Sequence, residues 1–348
     1  MTSRERELAA IRHEVPDRVP LDVICIEIQE EIADHLSIEA GEVYDALGID
    51  DRIVAAGYTG LECRGPQGQP LDPWGGEPLL DYGTAHWYPL SGATTVAEVE
   101  RHAWPDPEDF DYAGAAAVAA ALGDRYAVRG PYWLPLFCRV CGLMGMEEAM
   151  AAMVTRPAVF EAVLEGVFSV TREYCRRLLN ACGDAMPILC LGDDFATQRG
   201  MMISPESWRR FLKPRFAQLF ALGKSRGKFV WFHSCGDITP ILPDLIEIGM
   251  DVWETVQLHT LPLSAEELKR EFGRDLTFFG GISTQHLPHS SPAEVAAEVR
   301  RRIEQLGAGG GYICGPDHHL KPDVAAPLAV TLFATARDFR APGYTAPL

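Results

Sequence analysis

His233 and Cys235 stand two residues apart at the end of the apolar run Phe229-Val230-Trp231-Phe232, and Gly236 and Asp237 follow them. In a β-strand the side chains of residues i and i+2 leave the same face, so an imidazole nitrogen and a thiol sulfur project together from the strand's carboxyl end. Zinc favours that pair, and one further ligand makes a three-ligand site with an open position, the form that catalytic zinc takes. Cys314, in the run Gly311-Tyr312-Ile313-Cys314-Gly315-Pro316, is the candidate third ligand. Each residue alone reads as readily as a buried core side chain. The metal reading rests on two such strand ends occurring in one chain.

Other strand ends carry chemistry too. Asp193 and Asp194 close the run 187–192, where a carboxylate orients a substrate or relays a proton, or simply caps a helix. His318 and His319 come shortly after Cys314, and His318 is the candidate acid or the group behind a metal ligand. Gln257 and Gln285 stand at or just beyond the ends of two further runs as candidate substrate contacts, and Tyr132 and Phe195 are candidate walls of a substrate pocket. Cys138 and Cys141 have redox spacing without a thioredoxin-like context and read as core.

These residues need a scaffold that brings strand ends together. Strand-like runs at 21–26, 126–132, 187–192, 229–233, 251–257, 276–282 and 310–316 alternate with helical patterns. The helix after Ser204 has a serine cap and Pro205 at its first position, and the one after Ser291 has a capping box with Glu294. Apolar runs separated by helices predict parallel β/α units covered on both faces. No strand leads into G-x-G-x-x-G, and polar residues mark several strand ends, so the expected fold is α/β, a (β/α)8 TIM barrel. The whole chain, 1–348, reads as one such domain. Residues 57–111, rich in proline and holding Trp74, Trp87 and Trp104, read as an irregular excursion capping the barrel mouth.

Composition excludes several classes. With 348 residues, 47% hydrophobic and 23% charged, the chain is of soluble globular type. A net charge of −18 repels nucleic acid and anionic membranes. Nine cysteines, odd in number and scattered, argue for reduced thiols or metal ligands rather than disulfides. The start has no apolar signal-like segment and no run of membrane-spanning length occurs, so the expected location is the cytoplasm.

Pro16-Asp17-Arg18-Val19-Pro20, Ile203-Ser204-Pro205-Glu206, His233-Ser234-Cys235-Gly236 and Cys314 together resemble the uroporphyrinogen decarboxylase superfamily, specifically its zinc-dependent corrinoid methyltransferase branch. Decarboxylases of that superfamily lack the H-x-C pair, and the arginine-rich substrate clamp near their start has no counterpart here. The resemblance implies zinc on His233, Cys235 and Cys314, and a corrinoid carried by a separate binding protein, since the chain has no D-x-H-x-x-G run. In the coenzyme M enzymes a glutamate on the next strand can add a ligand. That position falls on Gln257, with Glu254 three residues earlier as the candidate fourth ligand. The segments Asp251–Gln257, Gly280–Gln285 and Gly315–His318 resemble members that demethylate methoxylated compounds. The expected reaction is methyl transfer between a methoxylated, aromatic substrate and the cobalt of a corrinoid protein, with a homodimer as the expected assembly. Methylation of a thiol from methylcobalamin is the alternative. Porphyrinogen decarboxylation is another, and it needs a cationic pocket that 31 basic against 49 acidic residues do not favour.

Overall fold

The computed structural model of the protein describes residues 1–77 and 85–340. Seven parallel strands form one sheet in chain order: β1 (Asp51–Ile53), β2 (Ala127–Pro131), β3 (Ile188–Gly192), β4 (Phe229–His233), β5 (Val252–Val256), β6 (Thr277–Ile282) and β7 (Tyr312–Pro316). The eighth stave is the extended segment 20–22. On one side Cys314 N–H donates to Pro20 O at 2.8 Å and Asp22 N–H donates to Cys314 O at 3.2 Å; on the other Asp50 N–H donates to Leu21 O at 2.8 Å. This closes the sheet into a barrel.

Every residue of β2, β3, β5, β6 and β7 is buried, because the interior is filled with side chains and helices cover the outside. Trp231, Phe279, Ile313 and Val252 pack inside the barrel. The helix Ser3–Ile11 adds Leu8 and Ile11 to the same cluster, and a capping box of Thr2 and Glu5 fixes its start. The outer layer includes the long helix Pro157–Cys182, whose Pro157 stands at its first turn.

Some elements differ from the sequence reading. Asp51–Ile53 is a strand where a helical spacing runs to Asp51, and three residues are too few to show a period of two. Residues 21–26 make isolated bridges at Leu21 and Ile26 rather than a continuous strand. The helix after Ser204 is two, Pro205–Phe211 and Lys213–Lys224, with Pro214 removing a backbone donor at the junction. Helices Phe137–Met144 and Ala326–Asp338 were not expected.

The described part of the excursion is turns with a small hairpin, Cys63–Arg64 against Pro70–Leu71, and a short helix, Val96–Glu100, capped by Thr95. It packs on the helices that leave the barrel after β2: Asp72 pairs with Arg139, Leu90 N–H donates to Leu143 O at 2.8 Å, and Gly92 N–H donates to the Glu148 carboxylate at 2.9 Å. Residues 78–84 of the excursion lie outside the described residues. No described helix is long and apolar enough to cross a membrane.

Candidate metal centre

His233 is the last residue of β4 and lies two residues beyond Trp231, so it faces the barrel interior. Its Nδ1 meets Glu254 Oε1 at 2.7 Å. Donation of Nδ1–H to that carboxylate leaves the Nε2 lone pair free, and Nε2 faces Cys235 Sγ at 3.5 Å and Asp194 Oδ1 at 3.7 Å. One ligand atom from each of Asp194, His233 and Cys235 falls within 4.8 Å of the other two. Asp194 is held in place as well, since its Oδ1 accepts Cys235 N–H at 2.8 Å.

The turn that carries Cys235 depends on Gly236. Its φ is +77°, and a Cβ there would lie 2.4 Å from Thr197 O. On the other flank, Trp133 and Tyr132 stand edge-on to the His233 ring at 5.4 and 6.0 Å. Gly192 permits the first of these contacts, because a Cβ would meet the Trp133 ring at 2.7 Å. Tyr132 has φ +87°, a conformation costing a non-glycine residue about 1–3 kcal/mol, and strain of this kind concentrates at functional sites.

Behind His233 the barrel is filled by charge. Arg129, fully buried, donates from Nη1 to Glu254 Oε2 at 2.7 Å and from Nη2 to Asp22 Oδ2 at 2.8 Å, and pairs with Asp51 through Nε. Trp231 Nε1–H also donates to Glu254 Oε2. Burial alone would raise the Glu254 carboxyl, but Arg129 and then His233 outweigh it and hold the group at about 2. Burial lowers the His233 imidazole, yet the Cys235 sulfur and Glu254 beside it raise it overall. The Cys235 thiol is pushed up by burial against the pull of His233. A bound cation reverses both effects, since a coordinated imidazole nitrogen carries no proton and a coordinated thiol loses its own.

A cavity of ≈ 260 Å³ opens directly on Cys235. Gln257, Gln285 and His318 line it, with Gln198, Thr284 and Lys321. Gln257 is anchored through Oε1, which accepts Gly236 N–H at 2.9 Å. The His318 ring lies 6.3 Å from that of His233, and its Nδ1 is buried with no hydrogen-bond partner among the described residues. Burial, and then the neighbouring His233, bring its imidazole down to about 4, so it is neutral and able to ligate at neutral pH.

The residues singled out in the sequence divide accordingly. His233, Cys235 and Asp194 come together, and His318, Gln257 and Gln285 line the adjoining cavity. Cys314 does not join them. Ile313 occupies the inward position of β7, so Cys314 points outward into the packing between sheet and helices, where burial raises its thiol to about 12. Glu254 is not positioned as a fourth ligand, because one of its oxygens is engaged by His233 and the other by Arg129 and Trp231. Asp193 serves the helix Phe137–Met144: its carboxylate accepts the N–H groups of Leu136, Phe137 and Cys138 at 2.9, 2.6 and 2.9 Å. Phe195 is no pocket wall; it is fully buried and stacks on Phe232 at 6.0 Å. Tyr132 adjoins His233 and lies over the Arg129 guanidinium, 5.5 Å from its ring centroid.

Arg129 is the functional residue that the sequence reading missed. The signal was present, as a lone arginine within the apolar run Tyr126-Ala127-Val128-Arg129. A charge there must be paired inside the barrel.

The family model for uroporphyrinogen decarboxylase (URO-D) matches residues 92–339. Among solved structures, a methyltransferase from Methanosarcina mazei has a similar fold at 18% sequence identity and a TM-score of 0.69, over 98% of this chain and 100% of that one. A sugar phosphate isomerase/epimerase from Parabacteroides distasonis ATCC 8503 matches more weakly, at 11% identity and a TM-score of 0.33, over 65% of this chain and 92% of that one. No curated protein matches the sequence.

Proposed function

The chain belongs to the uroporphyrinogen decarboxylase family, and from that premise we propose that it is a zinc-dependent methyltransferase, moving a methyl group between a methoxylated substrate and the cobalt of a corrinoid protein. The observation that carries this reading is the His233 imidazole, fixed by Glu254 through Nδ1 and turned with Nε2 toward Cys235 Sγ and Asp194 Oδ1 at the floor of an open cavity. Decarboxylation calls for no such nitrogen, sulfur and oxygen set. The similar fold of a structure described as a methyltransferase points the same way.

The donor set fits zinc: an imidazole with its second nitrogen tied to a carboxylate, a thiol, and a carboxylate oxygen, with the partnerless Nδ1 of His318 nearby. When bound, zinc supplies Lewis acidity toward an ether oxygen. Glu254 and Arg129 hold His233 in one orientation. Tyr132 and Trp133 cover its ring. Gln257 and His318 bound the space in which the methoxy group is presented. The corrinoid belongs to a separate protein that docks at the barrel mouth.

The test is twofold. Purified protein is expected to hold about one zinc per chain, as a site of three or four protein ligands does. With the corrinoid protein in its Co(I) state, methoxylated donors are expected to form methylcobalamin, followed by absorbance. A metal-free protein with full activity, or turnover of no methyl donor, overturns the reading.

A further inference from the structure

The cavity on Cys235 has a lining that selects among methyl donors. Three carboxamides, Gln198, Gln257 and Gln285, face it with Thr284, the imidazoles of His318 and His319, the ammonium of Lys321 and, at the exposed rim, the carboxylate of Asp323. Gln257 is nine-tenths buried, and its carbonyl oxygen is spent on Gly236 N–H, so what it offers a ligand is its pair of amide N–H donors. Lys321 forms no ion pair among the described residues, with Asp323 of the same cavity or with any other carboxylate, although the chain carries a large acidic excess. Among the described residues that line this cavity none is a phenylalanine, tyrosine or tryptophan that could stack on a methoxyphenol, and Trp133 stands edge-on to His233. Phe195 is packed in the core against Phe232, and Tyr132 stands against His233 with Arg129 over its ring.

We infer that the methyl donor is a short hydrophilic carboxylate, held with its carboxylate against Lys321, its remaining oxygens on the Gln257 amide, and its methoxy group toward Cys235. The inference rests on the methyl-transfer reading and names the substrate class of that site. A volume of ≈ 260 Å³ suits a compact aliphatic molecule with its first hydration partners replaced by side-chain donors. A carboxylate in such a place is recognised because losing its water is offset by an ammonium and by amide donors, whereas an apolar ring gains neither and leaves those donors unpaired. In the transfer the O–CH3 bond breaks and a carbon–cobalt bond forms. The Co(I) corrinoid of the partner provides the electron pair for the new bond, and the ether oxygen leaves with the electron pair of the broken O–CH3 bond and takes a proton from water, giving an alcohol and hydroxide.

The experiment uses calorimetric titration of the zinc-loaded protein with three probes, methoxyacetate, 2-methoxyethanol and 2-methoxyphenol. Methoxyacetate is expected to bind at least about tenfold more tightly than the other two, the cost of one lost charge-assisted contact. Lys321→Gln is expected to weaken methoxyacetate about tenfold and to leave 2-methoxyethanol and zinc content unchanged; Lys321 is exposed, so folding is not at stake. Tighter binding of 2-methoxyphenol, or indifference of methoxyacetate to Lys321→Gln, overturns the inference. Methylcobalamin formation is measured separately with the corrinoid partner. Lys321-dependent binding without any methyl transfer supports the ligand class and counts against the methyltransferase reading alone. Turnover of 2-methoxyphenol with no binding of methoxyacetate does the reverse.

Discussion

Glu254 joins two buried groups of opposite purpose: Oε1 meets His233 Nδ1 at 2.7 Å, and Oε2 accepts from Arg129 Nη1 at 2.7 Å. The carboxylate therefore sets the imidazole that faces Cys235 and also neutralises a guanidinium that has no access to water. Glu254→Gln keeps the shape and removes the charge. It also turns an amide N–H2 toward Arg129 or His233, where only an acceptor fits. Zinc affinity is expected to fall about 10- to 100-fold, as for other partners behind a ligating histidine. The metal-free protein is expected to lose about 1–3 kcal/mol in urea denaturation, because Arg129 keeps Asp22 and Asp51 but loses the third of its buried carboxylates. Unchanged zinc affinity in a chelator competition would show that Glu254 only balances Arg129.

The two cysteines of the sequence motif are expected to separate cleanly. Cys235→Ala removes the sulfur that lies 3.5 Å from His233 Nε2, and zinc binding should be lost. Cys314→Ala trims a side chain on the outer face of β7, so it should cost about 1 kcal/mol of packing and leave about one zinc per chain. Metal analysis of both proteins decides it, and loss of zinc in Cys314→Ala would return that residue to the site.

The barrel was legible from the sequence because its strands are apolar runs between capped helices, and the run from Phe229 into His233 is one of those strands. Asp51–Ile53 was obscured and the run at 21–26 proved to be a shorter stave at 20–22, since short segments acquire strand geometry from their neighbours rather than from their own pattern. The nearness of His233 and Cys235 was expected from strand spacing, although Cys235 meets the imidazole from the turn just beyond the strand's last residue, His233. Which face Cys314 takes depends on the register of β7 in the closed sheet, a non-local fact that a one-residue slip would invert. The Arg129 network was hidden for a similar reason, as its partners Asp22, Asp51 and Glu254 come from four distant parts of the chain, Arg129 included.

Adjacent aspartates at the end of β3 are expected to fail in different ways. Asp193 accepts three backbone N–H groups at the start of Phe137–Met144, so Asp193→Ala should destabilise the protein by at least about 2 kcal/mol. Its effect on zinc content should be small. Asp194→Ala removes the oxygen 3.7 Å from His233 Nε2 and the acceptor of Cys235 N–H, so zinc affinity should drop at least about tenfold with a modest change in melting temperature. Equal losses of zinc in the two variants would argue against Asp194 as the ligand.

Glu7 gives the clearest dependence on pH. It reaches from the helix Ser3–Ile11 to within 4.8 Å of the Asp22 and Asp51 carboxylates, is fully buried, and neither of its oxygens has a hydrogen-bond partner among the described residues. Burial first, and the charges of Asp51 and Asp50 next, raise its carboxyl well above the ordinary range. An acid raised in the folded state keeps its proton there while the unfolded chain gives it up, beginning near pH 4.3. Rising pH therefore favours unfolding through this group, by about 1.4 kcal/mol per pH unit, from that point up to the folded-state value. Glu7→Gln has nothing to ionise. Urea denaturation at pH 5, 6, 7 and 8 should show Glu7→Gln gaining steadily on the unmodified protein as pH rises, with the smallest difference at pH 5. Parallel stability curves for the two proteins would mean that Glu7 is ionised in the fold already at pH 5, balanced by the nearby Arg129 and Arg18 guanidinium groups.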